Sequence, residues 1–390
     1  MAVYDLNIRH LAAHVAIVAS GSASDAARRI HLSQPAVTQG IAKLERQLGQ
    51  SLFLRRPGGM EATEAGLILS IRAEAMLRFI GTRLASSAQI RAFLALTKAG
   101  TYSAAAAATG LSEASLHRAV ADLGVALGAA LFERRGRSLL LTQKGHDAVR
   151  RFTLAMGELD SVMVELASLA GRETGQITIG AMPLSRSRLL PEAIMTFHAE
   201  HPNVRISVVE GSHADLVGPL REGQLAMMVG ALRDGSSADL QTTPLFRDTP
   251  IVVGRAGHPL GRDGLLTGER CALYPWIVPP EGTPLRSLWY RMFSSLGVPP
   301  PRVMIECGSA LTIRQLLIRS DHLTLFAPDQ VALELTSGVL ERLGTAPGGL
   351  ERTIGITTRT DWRPTSLQAR FIGTLSEAAR DCGEAIIRIS

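Results

Sequence analysis

The chain is 390 residues long, 46% hydrophobic and 19% charged, which is enough apolar material for two to four ordinary cores and excludes a chain dominated by disorder. Its formal charge of +6 is unevenly spread: residues 1–150 hold 18 Lys or Arg against 10 Asp or Glu, and residues 151–390 hold 23 against 25. A basic front on a near-neutral rear points to a polyanionic partner for the first part only.

The chain opens with MAVYDLNIRHLAAHVAIVAS, an apolar run broken by His10 and His14 that fits neither a secretory signal nor a membrane span. Cys271, Cys307 and Cys382 form no CxxC pair and no Cys/His cluster. A disulfide framework and a metal site are therefore not expected, and a reducing cytoplasm is the simplest home. No nucleophile elbow, HExxH, Walker loop or catalytic acid pair occurs, so neither catalysis nor a cofactor is expected.

The first 145 residues repeat themselves. At an offset of 79, Gly21 falls on Gly100, Ser33 on Ser112, Leu44 on Leu123, Gly49 on Gly128, Phe53 on Phe132 and Thr63 on Thr142. Arg55 and Arg56 likewise fall on Arg134 and Arg135, and Gly66 falls on Gly145. Matches at glycine, serine and aromatic positions in one unbroken register mean two copies of one domain.

In each copy the spacing predicts a first helix, at about residues 6–19 and 88–99, that ends at a glycine. A short helix follows (SASDAARRIH, TYSAAAAATG), and then a helix capped by Ser33 or Ser112. Two helices joined by a tight turn, the second of them amphipathic, make a helix-turn-helix. Val37, Ile41, Leu44 and Leu48 recur at helical spacing and face inward, which leaves Gln34, Thr38, Gln39 and Lys43 outward. The second copy has Leu116, Val120, Leu123 and Leu127 inward, with Glu113, His117, Arg118 and Asp122 outward. The stretches LFLRRPGGMEATEAG and LFERRGRSLLLTQKG each read as a basic β-wing, with Arg55 and Arg56 in the first and Arg134, Arg135 and Arg137 in the second. Arginines at such tips meet phosphates and the minor groove, so double-stranded DNA is the expected partner.

The stretch SQPAVTQGIAKLERQLGQSLFLRR resembles the signature of LysR-type regulators. That resemblance implies a winged helix-turn-helix, a long linker helix and a two-lobed effector domain like a periplasmic binding protein. By the same resemblance Gln34, Pro35, Thr38, Gln39 and Lys43 lie on the family's major-groove face. A second winged unit departs from the family pattern. The copies also differ chemically: Gln34 can pair with adenine and Lys43 can neutralise a phosphate, whereas Glu113 and Asp122 would repel one. The first copy is expected to read bases, and the second to dock on backbone or to serve as scaffold.

From Gly145 to Gly171 the residues Phe152, Met156, Leu159, Met163, Leu166 and Ala170 recur at spacings of 4 and 3, a seam expected to pair two identical helices and make a homodimer or tetramer, the alternative being packing on the chain's own domain. Beyond it, QITIGAM, VRISVVEG, LAMMVGAL and TPIVVGRA read as strands, and RSRLLPEAIMTFHAEH and HADLVGPLREG as helices. This is an α/β pattern with parallel strands. The expected fold class is mixed: two tandem all-α winged helix-turn-helix domains (1–86 and 87–145), a linker helix (146–171) and an α/β effector domain (172–390). Similarity to the LysR-type effector domain implies one lobe from about 176–253 with 350–390, and a second from about 254–349.

Effectors of such folds bind where strand ends meet helix N-termini. Ser185, Thr283 and Ser309 occupy such places, and Arg186, Arg188 and Arg286 nearby suggest a small anionic effector. The reading is a DNA-binding transcriptional regulator modulated by a small molecule. The alternative is a ligand-independent architectural protein that bridges DNA.

Overall fold

The computed structural model describes residues 6–388 apart from 58, 83, 137, 234, 236, 264–265 and 347–349. It divides into two compact units, the first ending at Thr174 and the second beginning at Gly175, with Glu222–Gln224 grouped with the first.

In the first unit the order is α1 (Ile8–Ser20), α2 (Ala23–Ile30), α3 (Gln34–Leu48), β1 (Phe53–Arg56), β2 (Gly59–Ala62) and α4 (Glu64–Ile80). The series then runs again as α5 (Ser87–Ala99), α6 (Tyr102–Thr109), α7 (Glu113–Leu127), β3 (Phe132–Arg135), β4 (Ser138–Leu141) and α8 (Gln143–Leu169). Every one of these helices begins at a side-chain cap: Asn7, Ser22, Ser33 and Thr63 in the first copy, Ser86, Thr101, Ser112 and Thr142 in the second. Each cap oxygen accepts from a backbone N–H that has no partner inside the helix.

The repeated residues have repeated jobs. Thr63 donates to the carbonyl of Ser51 at 2.7 Å and accepts from Gly66 N–H at 3.0 Å; Thr142 does the same with Ala130 and Gly145 at 2.7 and 3.0 Å. A Cβ at Gly66 or Gly145 would collide with the carbonyl of Leu52 or Leu131, so glycine is required where each wing returns to its helix. Buried pairs such as Leu11 and Ile90, Val37 and Leu116, Leu44 and Leu123, and Leu52 and Leu131 belong to one continuous core running through both copies. Each such side chain contributes about 1.5–3 kcal/mol by leaving water.

The second unit contains β5 (Gly175–Ala181), α9 (Leu189–Glu200), β6 (Val204–Glu210), α10 (His213–Arg221), β7 (Met227–Ala231), β8 (Leu240–Asp248), β9 (Ile251–Arg255) and α11 (Gly268–Ala272). It continues through β10 (Ile277–Val278), α12 (Pro284–Ser295), β11 (Ile305–Glu306), α13 (Ala310–Ile318), β12 (Thr324–Phe326), α14 (Ala332–Thr336), β13 (Leu340–Thr345), β14 (Arg352–Arg359) and α15 (Ser366–Arg388). One sheet has the order β6-β5-β7-β14-β8 and another the order β12-β9-β13, with β10 and β11 paired separately. The chain therefore passes from one sheet to the other between Asp248 and Ile251, and returns between Thr345 and Arg352.

The strands are not all parallel. β5 runs parallel to β6 and β7, but β14 is antiparallel to β7 and β8, and β9 is antiparallel to both β12 and β13. The reason is the returning tail, which re-enters the first sheet heading the opposite way. Hydrophobic alternation along a strand carries no information about its neighbour's direction.

Candidate nucleic-acid interface and effector site

The α3 helix turns Val37, Ile41 and Leu44 into the core and leaves Ser33, Gln34, Pro35, Thr38, Gln39 and Lys43 exposed. Pro35 sits in the first helical turn, where its missing N–H costs nothing. Ser33 is the cap, accepting from Ala36 N–H at 3.4 Å, and the Thr38 hydroxyl donates to the Gln34 carbonyl at 3.1 Å. The amides of Gln34 and Gln39 and the ammonium of Lys43 thus form a row with no carboxylate in it. Behind that row His10 is held below the usual imidazole range, first by burial and then by the Lys43 charge.

On α7 the same positions carry Glu113, Ala114, His117, Arg118 and Asp122, again exposed, after the cap Ser112. The His117 ring lies flat on Tyr102, with centroids 3.4 Å apart and 17° between planes. Sequence reasoning missed Tyr102; the signal available was an aromatic residue at the start of an otherwise alanine helix. A second difference is Glu45, whose carboxylate accepts from Leu52 N–H at 2.8 Å, whereas Gly124 stands there in the second copy. A groove of about 630 Å³ there is lined by Tyr102, His117, Gly124 and Arg134 among others.

Both wings are two-stranded antiparallel ribbons, Arg56 opposite Gly59 and Arg135 opposite Ser138. Arg55 and Arg134 are exposed, and Arg56 is exposed while paired with Glu61 at 3.1 Å. Arg137 and the side chain of Arg135 lie outside the described residues.

In the second unit, Thr283 caps α12 and Ser309 caps α13, accepting from the N–H of Arg286 and Thr312 at 3.3 Å each. β10 and β11 are a parallel pair, and Cys307 N–H donates to the Val278 carbonyl at 2.9 Å. Both strands of this parallel pair are followed by a helix, α12 after β10 and α13 after β11. Ser185 is different from the expectation of a helix start: it is fully buried in the 3-10 turn Pro183–Arg186 after β5, donating to the Met182 carbonyl at 2.9 Å. The three arginines are also committed elsewhere. Arg186 pairs with Glu210, Arg188 with Glu192 at 2.8 Å and Asp329 at 3.8 Å, and Arg286 with Glu281 at 2.9 Å while packing over Trp289 and Tyr290. All three guanidinium groups thus already have carboxylate partners within the protein.

Comparison with known proteins agrees with this division. Residues 170–380 match the model of the LysR substrate binding domain. Residues 8–67 and 87–146 each match the bacterial regulatory helix-turn-helix protein model of the lysR family, the second match beginning and ending 79 residues after the first. The chain belongs to the LysR family of transcriptional regulators. It is 33% identical over 368 residues to the HTH-type transcriptional regulator GalR of Pseudomonas putida, covering 90% of this chain and 92% of that one. It is 30% identical over 298 residues to the SDS degradation transcriptional activation protein of a Pseudomonas species, covering 75% and 93%. Among solved structures, full-length OxyR from Pseudomonas aeruginosa aligns with a TM-score of 0.57 at 24% identity over 75% of this chain and 93% of that one. The LysR-family regulator CbnR in complex with its target DNA aligns with a TM-score of 0.53 at 17% identity over 75% and 99%, a likeness of fold.

This LysR-type regulator thus has a DNA-binding helix-turn-helix and carries an effector-binding domain that modulates regulation. No helix among the described residues is long and apolar enough to cross a membrane, and no group of three metal-ligating side chains occurs among them. Much of the apolar seam of the linker packs on the chain itself, although Met163 is only half-buried and Ala170 is exposed. Phe152, Leu159 and Leu166 are buried, and Met156 is packed against them, in the core that the same chain's first repeat completes. Helical spacing reports that a face is covered, but not by which helix.

Proposed function

We propose that the first repeat reads base edges through Gln34, Thr38 and Gln39, seated by Ser33 and Pro35, while Lys43, Arg55 and Arg56 bind flanking phosphates. The second repeat, started by Ser112, docks on backbone through His117, Arg118, Arg134, Arg135 and Arg137, because Glu113 and Asp122 oppose close approach to phosphate. The observation that carries this reading is the exposed, carboxylate-free row on α3 beside its carboxylate-bearing counterpart on α7.

In the same reading a small anionic molecule binds near Thr283 and Ser309, with Ser185 shaping the facing strand end, and shifts the DNA-bound state through unequal affinity for two arrangements of the protein. The regulator acts in the cytoplasm, where its DNA lies, and no catalytic step is assigned to it. Footprinting of the full chain on DNA flanking its own gene, with and without small carboxylates, tests both halves. A footprint that appears and changes with one such molecule supports the reading. A footprint indifferent to all of them leaves the architectural alternative.

A further inference from the structure

The two repeats are joined by contacts that repeat with exchanged roles. α4 and α8 are the same helix in the two copies, so Arg151 is the counterpart of Arg72, and Glu158 is the counterpart of Phe79. Arg72 binds the Glu158 carboxylate at 3.2 Å, and Arg151 donates to the Phe79 carbonyl at 2.8 Å. If residue i of one copy meets residue j of the other, then i of the other copy meets j of the first. That is the mark of an isologous interface, in which two copies are related by a two-fold axis. The pairs 72 with 158 and 79 with 151 also run in opposite directions along the chain, so the two helices cross antiparallel. The apolar counterparts Ala73 and Phe152, Met76 and Ala155, and Ile80 and Leu159 are all buried in the one core that both repeats share.

A two-fold axis through α4 and α8 relates α3 to α7. We infer that one chain, and not two, supplies both reading heads for a pair of operator half-sites, with its internal pseudo-two-fold lying on the pseudo-dyad of the DNA. Because Gln34 and Lys43 on one head face Glu113 and Asp122 on the other, the two half-sites are unequal: one is read through bases and the other is held mainly through phosphates. An obligate pair of identical chains is not needed to span such a site. This inference rests on the DNA-binding reading above and adds stoichiometry and polarity to it.

The test uses the full chain and a cleaving chelate at two counterpart positions outside the proposed contacts. Arg46, near the end of α3, and Val125, near the end of α7, are both exposed, Val125 at 82%. Arg46→Cys and Val125→Cys therefore leave the core untouched, and the unsubstituted chain treated with the same iron chelate gives the background from its own cysteines. Within each protected pair of half-sites, the Arg46→Cys conjugate should cut one flank and lose the other. The Val125→Cys conjugate should cut the opposite flank, and native mass spectrometry should count one chain per pair. Symmetric cutting of both flanks by the Arg46→Cys conjugate, with two chains per pair, would overturn the inference and leave the DNA-binding reading standing. Absence of any footprint from the unsubstituted chain would remove that reading and this inference with it.

Discussion

Arg72 and Arg151 stand at the same position of the two repeats and reach across the same helix pair, yet one meets carboxylates and the other meets carbonyls. α4 stops at Ile80, so Arg151 finds the bare helix end and donates to Phe79 and Ile80 at 2.8 and 2.6 Å. α8 continues to Leu169, so Arg72 finds Glu158 and, a further two turns on, Glu165 at 3.3 Å. A cation at a helix C-terminus also complements the helix dipole.

The pair predicts unequal costs for the same substitution. Arg72→Met leaves Glu158 buried without its cation and should destabilise the first unit by about 3–5 kcal/mol. Arg151→Met removes charged donors from carbonyls that retain other partners or water, and should cost about 1.5–3 kcal/mol. Urea unfolding of both variants decides it, and equal midpoints would mean that the carboxylates are solvated in the folded protein.

His14 makes stability depend on pH. Its Nε2 lies 2.8 Å from the Gly66 carbonyl and its ring packs on Phe53, and burial pulls its pKa down from 6.5 to about 4 against a small opposing effect of that hydrogen bond. The neutral ring is the folded form, so the unfolded chain binds the extra proton between these two values. Its contribution is therefore fully present above about pH 6.5 and is lost as pH falls toward 4, a change of about 3 kcal/mol. The second copy has Phe93 at this position. In His14→Phe the stability of the first unit should flatten over that window, and an unchanged slope in pH-dependent urea melts would assign the effect elsewhere.

Recognition should be lopsided. Gln34→Ala is expected to lower specific affinity by about 1–3 kcal/mol and to relax one base position, with Glu113→Ala neutral or tighter. Quantitative binding to the footprinted site and to single-base variants reads both effects. Loss of specificity on Glu113→Ala with no effect of Gln34→Ala would reverse the assigned roles.

For the effector, the variant with Thr283→Ala and Ser309→Ala should lose about 0.5–1.5 kcal/mol of effector affinity per hydroxyl, or up to about 3 for a charged group, whereas Ser185→Ala, whose hydroxyl is buried against the Met182 carbonyl, should add no such loss. It should bind DNA as before. Two helix caps disappear as well, costing about 1 kcal/mol of folding stability each, so thermal melting must accompany the titration. A normal effector response from a less stable protein would make these residues caps alone.

Much of this molecule is written locally and could be read locally. The register of 79 residues, the serine and threonine caps, the inward stripe on α3 and the glycines behind each wing depend on spacing and on backbone geometry within a few residues. The outward row of Gln34, Thr38, Gln39 and Lys43 follows from the same helical period. What the sequence could not settle was which surfaces meet. The Phe152–Leu166 stripe announced a buried face, and only the tertiary structure covers it with the chain's own first repeat, because burial is blind to the identity of the covering helix. The reversed direction of β14, the burial of Ser185 and the pairing of Arg186 with Glu210 and of Arg188 with Asp329 likewise depend on residues well separated in sequence. Periodicity specifies a residue's side of its own element, and long-range packing then chooses its neighbour.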